Sequence, residues 1–206
     1  MTQPTQLVHG VDDLAEAVRR LVDATVRTTT SPATLRELTQ TVDSVTARLQ
    51  QQVRAGRWVP DRADPRASPY NTVVGSGNPL AAPVLLTRRE PDGVSATVRF
   101  ALPYEGAPGL VHGGILALVM DQMFGEAAIA ARVAGMTVGL QLRYAAPTPI
   151  LTDLLFEAHV ESSDDRLVKL VGSIVADGVT TVTATATFFR LTEDHAKRMF
   201  PDLAHG

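Results

Sequence analysis

The sequence predicts an α+β fold: one long central helix cradled by an antiparallel sheet of five or six strands, preceded by a helical hairpin. Three observations carry this expectation. The stretch Leu110 to Arg132, LVHGGILALVMDQMFGEAAIAAR, runs through helix formers with no proline and almost no charge, and a helix apolar on nearly all sides is one that a fold buries. The segments on either side alternate with period two or are rich in β-branched residues, and short turns between them demand antiparallel pairing. Ahead of Gly56, apolar side chains recur at helical spacing.

Composition narrows the class. With 206 residues, 45% hydrophobic content and a net charge of -3, the chain reads as one globular domain with an appendage. Lys and Arg are scattered, so no nucleic acid is expected as a partner. The absence of cysteine excludes disulfides, thiolate catalysis and thiolate metal sites. The five histidines are dispersed without an HxxxH pair, and neither a protein-built metal site nor a cofactor is expected. MTQPTQLVHG lacks the pattern of a secretory signal, and no uninterrupted apolar run approaches the roughly 20 residues that span a bilayer. The expectation is a cytoplasmic protein without a membrane partner.

In chain order, Val11, Leu14, Val18, Leu21, Val22 and Val26 predict a first helix behind the acidic pair Asp12 and Asp13, ending near TTTS. Ser31 and Pro32 form an N-cap and first-turn pair. Leu35, Leu38, Val42, Val45 and Leu49 then step by three and four, a coiled-coil-like stripe. Residues 1–56 are expected to be this N-terminal hairpin. Residues 57–83, with Trp58 at their head and rich in proline and glycine, read as an irregular connection. Gly75-Ser76-Gly77 completes neither G-x-S-x-G nor G-x-G-x-x-G and reads as a turn.

The main domain is expected over 84–191 and a polar tail over 192–206. Val84 to Arg89, a turn at Asp92-Gly93, and Val94, Ala96, Val98 and Phe100 predict a hairpin leading into the central helix. Beyond that helix come strands at Thr137 to Tyr144, Thr152 to Glu161, Leu167 to Ala176 and Val179 to Arg190. Turn chemistry at Pro147-Thr148-Pro149, Ser162 to Asp165 and Asp177-Gly178 separates them. In the last strand Thr181, Thr183, Thr185 and Thr187 alternate with Val182, Ala184, Ala186 and Phe188. The first face suits water or a partner, the second a buried helix.

The candidate chemistry lies in the central helix. Asp121 is a carboxylate inside an apolar element, costly to bury without a partner. Gly114, Ala117, Gly125 and Ala128 fall within about 40° of it on the helical wheel. It stands in a lane of tiny side chains that a strand, a second helix or a ligand can approach, and a packing seam with a hydrogen-bonded Asp explains that lane equally well. His112-Gly113-Gly114 falls where the helix starts, and unpaired N–H groups at the positive end of the macrodipole are suited to an oxyanion.

These residues resemble the hotdog-fold thioesterases of the phenylacetate-pathway type. The resemblance covers roughly Asn78 to Leu191 and is carried by NPLAAP at Asn78 to Pro83, YEGAPGLVHGG at Tyr104 to Gly114, Asp121, and GMTVGLQLRYAAPTPI from Gly135 to Ile150. It implies a hotdog fold and hydrolysis of acyl-CoA thioesters, coenzyme A entering as part of the substrate. It further implies Asp121 as general base or nucleophile, Thr137 orienting the water, and His112 with the N–H of Gly113 holding the thioester carbonyl. Gly114 and Asn78 fall in matched motifs and are expected to contact substrate. Gly106 stands where many relatives carry a polar Asn, beside Glu105. Where relatives carry a basic pair that meets CoA phosphates this chain has Ala145 and Ala146, so Arg143, Arg166, Lys169 and Arg190 are the phosphate candidates, Arg143 and Arg166 foremost.

Geometry adds a requirement. His112 and Asp121 are separated by roughly 13 Å along one helix, at about 1.5 Å per residue. One carbonyl cannot easily be reached by both. Two antiparallel copies of the helix would set one chain's Asp121 beside the other's helix start, so a homodimer, with a tetramer as a further possibility, is expected as a condition of activity. Two other readings use the same fold: a non-catalytic acyl- or acyl-CoA-binding module, and a hotdog dehydratase. The carboxylate at Asp121 argues against the first, and a histidine before Gly-Gly rather than before a proline-rich turn argues against the second.

Overall fold

The computed structural model describes residues 4–56, 69–82 and 84–190. Trp58 and the expected tail at 192–206 lie outside the described residues, as does most of the irregular connection. Two helices come first, α1 (Pro4–Arg27) and α2 (Pro32–Gln50). They are followed by β1 (Leu85–Glu90), β2 (Gly93–Arg99), a 3-10 turn at Leu102–Tyr104, and α3 (Gly113–Ala130). The chain continues through β3 (Gly135–Tyr144), β4 (Asp153–Ser163), β5 (Leu167–Ala176) and β6 (Val179–Arg190). The fold is α+β, a six-stranded sheet of order β1-β2-β4-β5-β6-β3 with every pairing antiparallel.

The β5–β6 turn has the expected chemistry. Asp177 (φ 48°) and Gly178 (φ 78°) both adopt positive φ, the geometry of a tight hairpin whose twist matches its strands. Strand order shows what local pattern cannot. β3, which directly follows the helix, pairs with β6 and ends at an edge of the sheet, while β4 returns to β2.

α3 packs on the sheet through Leu116, Val119, Met120, Met123, Phe124, Ala127 and Ala128, all buried. They meet Val94, Ala96 and Val98 of β2, Leu154 and Phe156 of β4, Leu170 and Ile174 of β5, and Val182 and Phe188 of β6 in one core. Full burial of a side chain of this size is worth roughly 1.5–3 kcal/mol. Gly172 in β5 makes the approach possible, because a Cβ there would collide with Met120, Phe124 and the carbonyl of Glu157. In β6 the Val182, Ala184, Ala186 and Phe188 face is buried as expected, but so is Thr181 on the other. A register shift between Ile174 and Val175 lies beside it, and its hydroxyl donates to the carbonyl of Ile174 at 3.3 Å.

Two expectations about the helices are corrected. α1 starts at Pro4, so Asp12 and Asp13 lie inside it rather than at its head; proline is well suited to a first helical position. α3 is not buried all round. By length and composition it could cross a membrane, yet one of its faces lies on the core and the other is open in the single chain. Gly114 is exposed, Leu118 is 42% exposed, and Ala117, Asp121 and Gly125 are only partly covered. Gly114, Ala117 and Gly125 of the lane of small side chains lie on this open face, whereas Ala128 is buried against the core.

Candidate active site

His112 is the N-cap of α3, with φ -60° and ψ 128°, and its Nδ1 accepts the N–H of Gly114 at 3.0 Å. An imidazole nitrogen that accepts is unprotonated, so the ring proton sits on Nε2 and that atom is a donor. The N–H groups of Ile115 and Leu116 both bond to the carbonyl of His112. Of the first four N–H groups of the helix, Gly113's is left without an acceptor among the described residues. The N–H of Gly114, a residue expected to contact substrate, is taken by the cap.

The loop before the cap fixes this arrangement. The N–H of His112 donates to the carbonyl of Tyr104 at 2.9 Å, and Gly106 and Leu110 close a turn at 2.9 Å. A Cβ at Gly106 would press on the Cα, Cβ and ring of His112, so this position supports the histidine and has no room for a side chain of its own. Glu105 accepts the N–H of Gly109 at 2.7 Å and serves the loop. Burial raises the pKa of the Tyr104 phenol above its ordinary value, with Arg19 opposing.

Further along α3, the hydroxyl of Thr137 donates to Oδ1 of Asp121 at 2.8 Å. Asp121 is only partly covered in the single chain, which corrects the expectation of a buried carboxylate, because its face of the helix is the open one. The carboxylate that is buried on this helix is Glu126, 8% exposed. Its Oε1 accepts from Gln122 Nε2 at 3.0 Å, and Gln122 Oε1 in turn accepts from Asn71 Nδ2 at 3.1 Å. Its Oε2 lies 2.8 Å from an Arg89 guanidinium nitrogen as an ion pair without hydrogen-bond alignment. This network ties β1 and the loop at Asn71 to the far side of α3, a role the sequence reading missed.

Tyr144 was also missed. Its hydroxyl donates to the carbonyl of Gly113 at 2.8 Å, and a Cβ on Gly113 would lie 3.2 Å from that oxygen. Glycine at 113 therefore leaves the tyrosine its room. Gly113, Leu116, Val111, Tyr144 and Thr148 contribute to the lining of a cavity of about 390 Å³ at the helix start. The Thr148 hydroxyl is buried without a partner among the described residues.

The remaining candidates are placed elsewhere. Asn78 spends its side chain on its own loop, donating to the carbonyl of Tyr70 and accepting from the N–H of Leu80, both at 3.0 Å. Arg143 adjoins Tyr144 in β3 and by strand alternation points to the opposite face of the sheet. Arg166 sits in the β4–β5 turn, where its carbonyl accepts the N–H of Arg190, the residue paired with Gly135 at the Thr137 end of β3. The structure thus gathers His112, Gly113, Gly114 and Gly106 at one end of α3, and Asp121 with Thr137 further along it. Asn78 and Arg143 join neither group.

Such a fold and site define an α+β hotdog protein whose central helix carries a carboxylate bonded by a threonine hydroxyl and a histidine-capped N-terminus. The crystal structure of protein RHA08564, a thioesterase superfamily protein, superposes with a TM-score of 0.79 at 34% identity, covering 87% of this chain and 90% of that one. The chain belongs to the thioesterase superfamily. Residues 2–56 match the model of the family described as Hypothetical protein RHA1_ro05818, N-terminal helical domain. The mouse acyl-coenzyme A thioesterase THEM4 is 34% identical over 94 residues, 44% of this chain and 40% of its own length. The chain therefore spans well under half of that relative. The Streptococcus mutans protein smu.793, whose crystal structure is bound to acetyl CoA, shares the fold with a TM-score of 0.51 at 17% identity, over 52% of this chain and 88% of that one.

Proposed function

We propose that the protein hydrolyses acyl-CoA thioesters to free acid and thiol, in a site shared by two copies of the chain. The observation that carries this is the 2.8 Å hydrogen bond from Thr137 to Asp121 Oδ1. It fixes a carboxylate on the open face of the helix and leaves Oδ2 without a partner among the described residues. That free oxygen acts either as general base, taking a proton from a water that attacks the thioester carbon, or as nucleophile on the carbon itself. In both cases the carbonyl oxygen gains negative charge, and the N–H of Gly113 with Nε2–H of His112 stabilises it. Collapse of the tetrahedral adduct then breaks the C–S bond and releases the thiolate; on the base route the thiolate takes up the proton held by Asp121, and on the nucleophile route a water hydrolyses the acyl–Asp121 anhydride to free the acid and restore the carboxylate.

The two halves of this machinery belong to different ends of one helix, and the second copy brings them together. Among the described residues the outer edge of β3 has no neighbour in the sheet, and an unpaired edge is a template for another strand. Met136 (40%), Val138 (63%), Leu140 (38%) and Tyr144 (53%) are exposed along it, Leu140 and Tyr144 on the face that meets α3. Antiparallel pairing of two β3 edges about a two-fold axis sets each Asp121 against the other copy's helix start and covers these side chains. The phenylacetate-pathway type is the subgroup that the HGG, Asp and Thr order favours, and the ligand seen in smu.793 supports CoA as the carrier. Arg166, at the Thr137 end of the sheet, is the better placed of the two phosphate candidates.

The test is free-thiol release from a panel of acyl-CoAs, run on the unchanged chain and on Asp121→Asn. Turnover in the first and its loss in the second is the expected result. Equal rates in both would overturn the mechanism, and no release from any acyl-CoA would overturn the function.

A further inference from the structure

α2 buries none of its residues. Leu35, Leu38, Val42, Val45 and Leu49, all on one stripe, are each 41–51% exposed. On α1, Ala15 is buried, but Leu14, Leu21, Val22 and Val26 are 37–57% exposed. An apolar stripe in three- and four-residue steps is the pattern of a helix that packs on another helix, and in the single chain these stripes are uncovered. We propose that the N-terminal helices of two copies of this chain pack on one another through these faces.

Area and charge single out a second copy as the occupant. The exposed parts of these nine side chains amount to on the order of 700 Å² per chain, close to the roughly 800 Å² that each partner contributes to a standard interface. The flanks of the α2 stripe are threonines whose hydroxyls are already used: Thr39, Thr41 and Thr46 donate to the carbonyls of Leu35, Glu37 and Val42 at 2.9–3.1 Å. They present methyl groups and ask for no polar partner. The charges of α2, Arg36 and Arg48 against Glu37 and Asp43, cancel. On α1, Arg19 and Arg20 pair with Glu16, and Arg27 with Asp23. With Asp12 and Asp13 counted, α1 holds four acidic and three basic side chains and α2 two of each, a net charge of -1 that is too small to select a partner of opposite sign or to hold two identical faces apart. This contact is separate from the β3 edge and does not depend on thioester hydrolysis.

The experiment places glutamates in the stripe, Leu38→Glu with Val45→Glu, in the full chain. Both side chains are exposed in the single chain, so helical content by circular dichroism should be unchanged. Sedimentation velocity over a concentration series is expected to show either a smaller assembly or a dissociation midpoint raised at least tenfold. An unchanged mass and midpoint would overturn the proposal. Hydrogen exchange on the unmodified chain decides the matter even if the variant misfolds. Slow exchange over residues 32–50 is expected in a species heavier than one chain, whereas fast exchange there, or slow exchange in a species of one chain, would overturn it. These readouts need no substrate, so an inactive protein that still assembles through its N-terminal helices would sink only the hydrolase reading.

Discussion

Thr137 and Tyr144 lie on one strand at an odd separation, yet both reach the same helix: Thr137 bonds Asp121, and Tyr144 bonds the carbonyl of Gly113. In a regular strand two such residues face opposite sides of the sheet. The register slips between Thr137 and Gly139, with Thr137 opposite Phe188 and Gly139 opposite Thr187, so Val138 is an extra residue. One inserted residue turns the rest of the strand over. The bulge is what lets β3 hold α3 at both the carboxylate and the helix start.

Deleting Val138 should therefore separate the two contacts. With strict alternation restored, Thr137 and Tyr144 cannot both face α3. Turnover is expected to fall at least as far as in Thr137→Ala, with a lowered Tm. Tyr144→Phe, which loses one hydrogen bond and keeps the ring, should cost only about 1 kcal/mol of stability. A deletion variant with wild-type thiol release and wild-type Tm would show that the bulge is not what aims the site.

Asp121→Asn should leave the fold intact and lower thioester turnover on the order of a hundredfold or more, since an amide can serve neither as base nor as nucleophile. Asparagine still accepts the Thr137 hydroxyl, so chemical denaturation should show stability equal to or above wild type. Retention of half the wild-type rate on the best substrate would remove Asp121 from the mechanism.

Thr137→Ala should be milder than Asp121→Asn, and Thr137→Ser milder again, because the hydroxyl positions the carboxylate and the attacking water without supplying the charge. If steady-state kinetics found alanine here as damaging as asparagine at Asp121, with the fold unchanged, Thr137 would become the nucleophile.

Glu126 and Asp121 show how far the sequence could be read. The α3 helix, the two hairpins and the alternation in β6 rest on local period and turn chemistry, which sequence displays directly. The carboxylate burial does not. Both acids lie on an apolar helix, and which one is covered depends on β1, where Arg89 comes from a distant part of the chain to meet Glu126. The open face around Asp121 was read as buried because an apolar side is silent about whether its own chain or a second copy covers it. The bulge at Val138 was hidden for a similar reason: it sits inside a continuous run of strand formers, and Gly139 was its one local mark.

Arg89→Met should lower stability by about 2–3 kcal/mol, less than the roughly 3–5 kcal/mol for breaking a fully buried pair, because the arginine side chain is 29% exposed. The loss comes from leaving the Glu126 carboxylate without its cation. Glu126→Gln in the same background should recover part of it. Denaturation midpoints of the single and double variants check this, and a double variant no more stable than Arg89→Met would deny the coupling.

The shared site is tested most directly by complementation. Asp121→Asn removes the carboxylate. Gly113→Val blocks the free N–H and presses on the Tyr144 hydroxyl, which even a Cβ would approach to 3.2 Å. Each variant should be nearly inactive alone. In a mixed dimer whose sites each take Asp121 from one chain and Gly113 from the other, one site carries both lesions and the other carries neither. Random mixing makes half the dimers mixed and half of their sites whole, so refolding the two proteins together should restore up to about a quarter of wild-type activity. If each chain held a complete site of its own, every site would carry one lesion and no mixture could recover. Mass spectrometry establishes that mixed dimers are present. Their presence without any recovered turnover would leave the hydrolase reading standing and refute the sharing of its parts between two chains.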